Sequence, residues 1–298
     1  MSDPTKLLIF GEVLFDCFPT GERILGGAPF NVAWHLQAFG DTPRLISRVG
    51  DDALGKKILS TMETWGLSLS GIQIDPIHQT GRVDVKFVHD EPHYTITPDS
   101  AYDFIDAHTI DREFDSGILY HGTLGLRNEV SRNALSGLTQ DSGLSIFLDV
   151  NLRTPWWKKE EVYQWIKKAH WVKLNEEELR LLDFTSSDID KAMADLQMKF
   201  GIEQLILTRG KEGATVRTRD GQLYHKTPES VEHITDTVGA GDAFSAMYIH
   251  GLMSGWSIPD TLSIAQRFAG KVLGLRGATT TDRAFYQDTL DDLMPPKR

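Results

Sequence analysis

Apolar residues in this chain gather into short unbroken runs separated by longer stretches with helical spacing. Lys6 to Phe10 (Lys-Leu-Leu-Ile-Phe) is the first such run and ends at Gly11. A strand that is apolar at nearly every position is buried on both faces, which places it in a parallel sheet with helices on either side. Arg44 to Val49, Gly117 to Tyr120, Leu144 to Leu148, Trp171 to Leu174 and Gln204 to Leu207 repeat the pattern. Helix-like segments lie between and after them, around Val130 to Leu138, Ala243 to Leu252 and Ile258 to Leu275. In the second of these, Phe244, Met247 and Leu252 fall near one face and no proline interrupts. One region departs from the pattern. Arg82 to Val88 alternates polar and apolar residues, and Tyr94 to Thr97 continues after a turn expected at Asp90-Glu91-Pro92. Period-two alternation predicts strands with one solvated face, so these belong to a small separate sheet.

Composition narrows the class. Of 298 residues, 40% are hydrophobic and 24% charged, as in soluble globular proteins able to bury a large core. That length suits one large domain or two ordinary ones, and no repeat or low-complexity linker interrupts it. A formal net charge of -11 argues against nucleic acid or an anionic membrane as a partner. Cys17 is the single cysteine, so an intrachain disulfide is excluded and a reducing compartment fits. No apolar run reaches membrane-spanning length and the N-terminus lacks a signal-like apolar core, so the expected location is the cytoplasm.

The most informative stretch is Asp236-Thr237-Val238-Gly239-Ala240-Gly241-Asp242-Ala243-Phe244. Gly239 and Gly241 let the backbone approach a ligand closely. The apolar segment that follows makes this a helix start, where N–H groups point outward from the positive end and attract an anion such as phosphate. Asp242 in the first turn is expected to be ionised at neutral pH and able to accept a proton. An anion site beside a base is what phosphoryl transfer to a hydroxyl requires. A plain glycine turn with a capping aspartate is the competing reading.

The longer string decides between them, because it resembles the Asp-Thr-x-Gly-Ala-Gly-Asp signature of the ribokinase-like (PfkB) carbohydrate kinases at every fixed position. The resemblance implies an α/β, three-layer fold with a mainly parallel central sheet flanked by helices, plus a small β-sheet lid. It also implies a single kinase domain over 1–298 with lid strands inserted at about 12–25 and 80–98. In this reading Asp242 is the catalytic base, and the backbone of Gly239, Ala240 and Gly241 holds the transferring phosphoryl group.

Other segments carry the resemblance along nearly the whole chain. Glu12 and Asp16 follow the first strand, where ligands of open α/β sheets sit, and Asp16 could accept from two sugar hydroxyls, although it reads equally as a loop acid. Gly26-Gly27-Ala28-Pro29-Phe30-Asn31 is similar to the sugar-binding Gly-Gly-x-x-x-Asn motif, in the form of the fructokinase branch. Asn31, one turn into a helix, can both donate to and accept from hydroxyls. Gly50-Asp51-Asp52-Ala53-Leu54-Gly55-Lys56-Lys57 nearly spells a P-loop, but Lys57 replaces the magnesium-binding hydroxyl and two aspartates would crowd the phosphate. It fits the family's Gly-Asp-Asp-x-x-Gly instead, which shapes the sugar side of the site. Arg82 on the lid either reaches the substrate or is an exposed strand charge.

Asp149-Val150-Asn151-Leu152-Arg153 resembles Asp-Pro-Asn-x-Arg, with Val150 in place of proline and with Asn151 and Arg153 as substrate contacts. Trp156, Trp157 and Trp165 read as helix packing rather than a stacking platform for sugar. Asn175 and Glu178 suit a helix cap and first turn, and also match the family's Asn-x-x-Glu, which acts near Mg²⁺ and the nucleotide. Thr208, Gly210 and Gly213 match a Thr-x-Gly-x-x-Gly turn beside the nucleotide. Asp236, Val238 and the loop at Gly277 correspond to a monovalent-cation site, with K⁺ expected. The first strand is followed by Gly11-Glu12-Val13 and not Gly-x-Gly-x-x-Gly, which excludes a Rossmann dehydrogenase. The expected activity is ATP- and Mg²⁺-dependent phosphorylation of a small sugar, fructose first. 2-keto-3-deoxygluconate, ribose or a nucleoside stand as alternatives, as does a silent sensor. Monomer and homodimer are both compatible with an exposed lid.

Overall fold

The computed structural model describes residues 6–88, 91–110, 116–140, 142–229 and 234–293. Along the chain run β1 (Lys6–Phe10), β2 (Leu14–Cys17), β3 (Arg23–Gly26), α1 (Ala28–Phe39), β4 (Arg44–Gly50), α2 (Ala53–Trp65), β5 (Ile72–Asp75), β6 (Gly81–Val88) and β7 (Glu91–Ile96). They are followed by β8 (Gly117–His121), α3 (Glu129–Thr139), β9 (Leu144–Asp149), α4 (Lys159–Lys168), β10 (Trp171–Asn175), α5 (Glu176–Leu181) and α6 (Ile189–Phe200). The last elements are β11 (Gln204–Thr208), β12 (Ala214–Thr218), β13 (Leu223–Lys226), α7 (Ala240–Met253), α8 (Ile258–Val272) and α9 (Arg283–Leu293).

Nine strands form one sheet in the order β13-β12-β11-β10-β9-β8-β1-β4-β5. It is parallel from β11 to β5, and β12 and β13 add an antiparallel edge. The unbroken apolar runs are explained by β1, whose side chains alternate between two cores. Leu7 and Ile9 face a cluster built with Phe30 and Leu36 of α1, Met247 of α7 and Phe268 of α8. Leu8 and Phe10 face the other, with Leu135 of α3, Ile166 of α4 and Leu196 of α6. Helices therefore cover both faces, giving the three layers expected. Because the strands are parallel, β1, β9, β10 and β11 all end on the same edge of the sheet. Glu12, Asp149, Asn175 and Thr208 come together there.

The alternating segment forms a second sheet, ordered β3-β2-β6-β7. Of the turn expected between β6 and β7, Asp90 lies outside the described residues, while Glu91 and Pro92 already belong to β7. The tail Met294 to Arg298 also lies outside them.

The helix after the glycine string begins at Ala240, with Asp242 in its first turn, and it is buried from Ala243 through Gly251, as the sequence suggests. It is clamped between α1 and α8, and only Ala240 to Asp242 at its start and Leu252 and Met253 at its end reach the surface. The helix expected to reach Leu275 ends at Val272. Gly50 to Gly55 is the entrance to α2, where Asp52 accepts from Gly55 N at 2.8 Å and from Thr80 N at 2.8 Å. Asp52 thereby holds the residue just before β6, at the root of the small sheet.

Candidate active site

A cavity of about 680 Å³ opens between the carboxyl edge of the large sheet and the small sheet. Asp16, Phe18, Val83, Tyr94 and Ile96 form its small-sheet wall. Arg82, raised as a substrate contact, is not in that wall and pairs with Asp84 at 3.5 Å.

The start of α7 forms the floor. Gly239 caps the helix at φ 85° and ψ -10°, and a Cβ there would stand 2.3 Å from the Cβ of Ala278, so only glycine fits. No side chain caps the helix. The N–H groups of Ala240, Gly241 and Asp242 have no carbonyl within the helix to reach, and they sit at its positive end. A Cβ on Gly241 would meet Lys173 Nζ at 3.5 Å, an ordinary contact. Gly241 therefore serves by leaving its surface bare, whereas Gly239 serves by its backbone angles.

Asp242 lies on the cavity wall with Oδ2 accepting a 2.8 Å hydrogen bond from Asn31 Nδ2. Burial pushes its pKa from 3.8 to about 6, with the Asn31 bond pulling the other way and the Asp149 charge adding to the rise. The position at a helix N-terminus alone implies a lowered value, so the surroundings reverse that direction. At pH 7 a pKa of about 6 still leaves roughly nine in ten carboxyls ionised. A carboxylate of this basicity accepts a proton more readily than an unperturbed one. Asn31 is buried at 3% exposure, and its Oδ1 has no hydrogen-bond partner among the described residues. A buried acceptor without a donor is costly, so this atom is suited to a ligand hydroxyl.

Two further carboxylates of the cavity share the same physics. Glu12 is buried, accepts from Gly125 N at 3.1 Å, and is raised to about 7 by burial and by the Asp242 charge. Asp16 is raised to about 6 by burial and by the Asp236 charge, with Arg153 opposing. Asn151 and Arg153 both reach the cavity from the loop after β9. The valine in that loop has a clear use. Val150 is fully buried and its N–H donates to Lys173 O at 2.9 Å, a bond that a proline could not make. Asn151 then takes a positive φ of 39°, and Leu152 N donates to Glu178 Oε1 at 2.8 Å.

On the opposite side, Asn175 and Glu178 form a capping box at α5, with Glu178 Oε2 accepting from Asn175 N at 2.8 Å. Both Glu178 oxygens thus hold backbone N–H groups, while the residue still lines the cavity. Thr208 lines it too, but Gly210 and Gly213 lie beyond its edge. A Cβ on Gly213 would meet Lys226 O at 2.1 Å, so that glycine is required by the packing of the turn against β13. Asp236 accepts from Val238 N at 3.0 Å and from Gly277 N at 3.2 Å, so the three residues expected around a monovalent cation lie together. Trp165 is buried in the core with α4, while Trp156 and Trp157 precede that helix, so of the three only Trp165 packs as a helix residue.

The comparisons with known proteins agree with this geometry. The family model for pfkB family carbohydrate kinases matches residues 7–284. The chain belongs to the pfkB family of carbohydrate kinases. Escherichia coli fructokinase is 31% identical over 296 residues, covering 92% of this chain and 95% of that protein. Among solved structures, the Vibrio cholerae fructokinase bound to fructose, ADP and a calcium ion superposes with a TM-score of 0.80 at 25% identity, covering 95% of this chain and 98% of that one. A Pyrococcus horikoshii sugar kinase in complex with ATP matches with a TM-score of 0.77 at 25% identity, over 91% of this chain and 93% of the other.

In this pfkB kinase, sequence reading overlooks one charged pair at the floor of the cavity. Lys173, in β10, is buried at 5% exposure, and its Nζ donates to Asp149 Oδ2 at 2.8 Å. Ser245 Oγ donates to the same oxygen at 2.8 Å. Both charged residues line the cavity. The signal was available, since a lysine inside an otherwise apolar strand of a parallel sheet has no solvent face to occupy and must find a partner.

Proposed function

We propose that this kinase transfers the γ-phosphoryl group of ATP to a hydroxymethyl group of a small sugar, with fructose as the preferred acceptor. The observation that carries the reading is the Asp242 carboxylate, raised to about 6 and placed on the first turn of α7 beside three uncapped N–H groups. The acceptor hydroxyl hydrogen-bonds to Asp242, which takes its proton as the new bond to phosphorus forms. The amides of Ala240 and Gly241 bind the oxygens of the group in transit, and the Lys173 ammonium adds fixed positive charge beside them. Asn31 orients Asp242 through Nδ2 and offers Oδ1 to a sugar hydroxyl, and Asp16 and Asn151 bind further hydroxyls. The nucleotide lies along Asn175 and Thr208, and the small sheet acts as a lid that excludes water from the reacting phosphate.

No cluster of three or more metal-ligating side chains occurs among the described residues. A Mg²⁺ ion would therefore depend on ATP phosphates and water, with Glu178 reaching it through water because both carboxylate oxygens already accept backbone N–H groups, and it would supply positive charge against the phosphates. Asp236, with Val238 and Gly277, supplies the anionic corner for a monovalent cation, K⁺ by preference. The protein acts in the cytoplasm as a monomer or homodimer.

A second acceptor class, the 2-keto-3-deoxy acids, is favoured by Arg153, whose guanidinium on the cavity wall could meet a substrate carboxylate. A coupled ATP-turnover screen over ketoses, aldoses, nucleosides and ketodeoxy acids separates them. Fructose is expected to give the highest kcat/KM. A preference of about tenfold or more for a ketodeoxy acid would overturn fructose as the acceptor. Absence of turnover on every compound would overturn the enzyme reading in favour of a sensor.

A further inference from the structure

Within the small sheet, the β6–β7 hairpin is joined to the body by two legs, one entering β6 at Thr80 and one leaving β7 at Thr97. A buried arginine outside every motif sits at the second. Arg127 follows the turn Leu124–Leu126, and its side chain is 4% exposed. Its Nε and Nη2 donate to the two oxygens of Asp103 at 2.7 Å each, and Nη2 also donates to the carbonyl of Thr97 at 2.6 Å. Its guanidinium lies 5.1 Å from the ring centre of Tyr102 and 4.4 Å from that of Trp156. Asp103 in turn accepts from Ser100 N at 2.9 Å, and Ala101 N donates to Gln79 O at 2.8 Å, which ties the exit leg to the entry leg.

Each of those contacts leads to a different part of the cavity wall. Thr97 is the end of the small sheet. The turn before Arg127 contributes Leu124 to the wall, and Gly125 N holds the Glu12 carboxylate. Trp156 N donates to Arg153 O at 2.7 Å, so the residue whose ring lies on the guanidinium is hydrogen-bonded through its backbone to Arg153, which lines the cavity. None of these links runs to α7, Lys173 or Thr208.

We infer that Arg127 is a positioning residue for the sugar half of the site. Its guanidinium sets the small sheet against the loop of Asn151 and Arg153, and so fixes the sugar subsite when the cavity closes. A planar fork with a stacking face is needed for two carboxylate bonds, one carbonyl bond and two aromatic contacts at once, and a lysine cannot supply it. The inference rests on the reading of the cavity as a sugar-kinase site.

The test uses the full-length protein with Arg127→Lys, Arg127→Met and Asp103→Asn. Asp41→Asn is a control that breaks a similarly buried 2.7 Å pair with His250, remote from the cavity. The sugar KM is expected to rise by about tenfold or more in all three, with kcat and the ATP KM within about threefold of wild type. A sugar-induced change in tryptophan fluorescence is expected in the wild type, lost in Trp156→Phe and weakened in Arg127→Lys. Should Arg127→Met fail to fold, Arg127→Lys keeps the buried cation and carries the test. A sugar KM within about twofold of wild type in Arg127→Lys, or an equal rise in Asp41→Asn, would overturn the assignment alone. Absence of sugar turnover in the wild type would overturn the kinase reading, and this assignment with it.

Discussion

Two helices in this protein start with a glycine and an aspartate, and the two aspartates do opposite things. At α2, Asp52 accepts from Gly55 N, from Thr80 N and from the Thr80 hydroxyl at 2.9 Å. Burial works to raise its pKa, but those bonds outweigh it and hold the carboxyl below the usual 3.8. At α7, Asp242 has a side-chain bond from Asn31, lies against a cavity, and is raised to about 6. Asp52 is a spent acceptor whose hydrogen bonds join a helix to the root of the small sheet. Asp242 has an oxygen left for a ligand and is held in a less stable ionised form. A glycine and an aspartate at a helix start therefore do not by themselves distinguish a structural cap from a carboxylate that faces a cavity; the partners of the aspartate do.

The sharpest contrast comes from neutralising each aspartate. Asp242→Asn is expected to lower kcat by at least about 10²-fold, the usual cost of removing a general base. The two positions also differ in sign for stability. For Asp242 the folded pKa of about 6 lies above 3.8, so the folded state favours the protonated form. Its ionisation costs stability in full above pH 6, and the cost is relieved as pH falls from about 6 toward 3.8. Asp242→Asn should thus melt at or above the wild-type temperature at pH 8. For Asp52, with its folded value below 3.8, the contribution is present above 3.8 and lost as pH falls through the folded value.

Next in size is Lys173→Met, expected to reduce kcat by about 10²-fold through loss of a positive charge near the phosphoryl group. It also leaves Asp149 buried without its cation, at a cost of about 3–5 kcal/mol in stability. Adding Asp149→Asn should restore most of the melting temperature and none of the rate. Recovery of both would show that Lys173 acts only in the fold. The smallest effect is expected at Asp52→Ala, which should cost about 1–2 kcal/mol in urea unfolding as a lost helix cap, with kcat within about threefold of wild type. A kcat loss comparable to that of Asp242→Asn would erase the distinction between the two helix starts.

What was legible in the sequence was local. The string from Asp236 to Asp242 carries its helix start in consecutive residues, and the alternation of Arg82 to Val88 carries its sheet in a period of two. Gly-Gly with Asn31 one turn later likewise fixes a helix start and the residue on its inner face. Readings that depend on distant partners were harder. Asp52 could be placed only through Thr80, Lys173 only through Asp149 and Ser245, and Arg127 only through Asp103 and Thr97. The presence of Val150 rather than proline in the loop after β9 became intelligible once its N–H was seen to reach Lys173 O. The raised pKa of Asp242 was hidden for the same reason. Its helix position, visible in sequence, predicts a shift downward, and its enclosure by other elements, invisible there, pushes it up.

The central claim, that Asp242 takes the proton of the acceptor hydroxyl, is tested most directly by single-turnover phosphoryl transfer measured across pH. With ATP and sugar both saturating, weaker binding caused by protonation of Glu12 or Asp16 drops out of the rate. The account predicts a plateau above pH 7 and a fall of about tenfold per pH unit below an apparent pKa near 6. In Asp242→Asn the residual rate should lose that limb. A wild-type rate that stays level down to pH 4.5, or an acid limb that persists in Asp242→Asn, would contradict it.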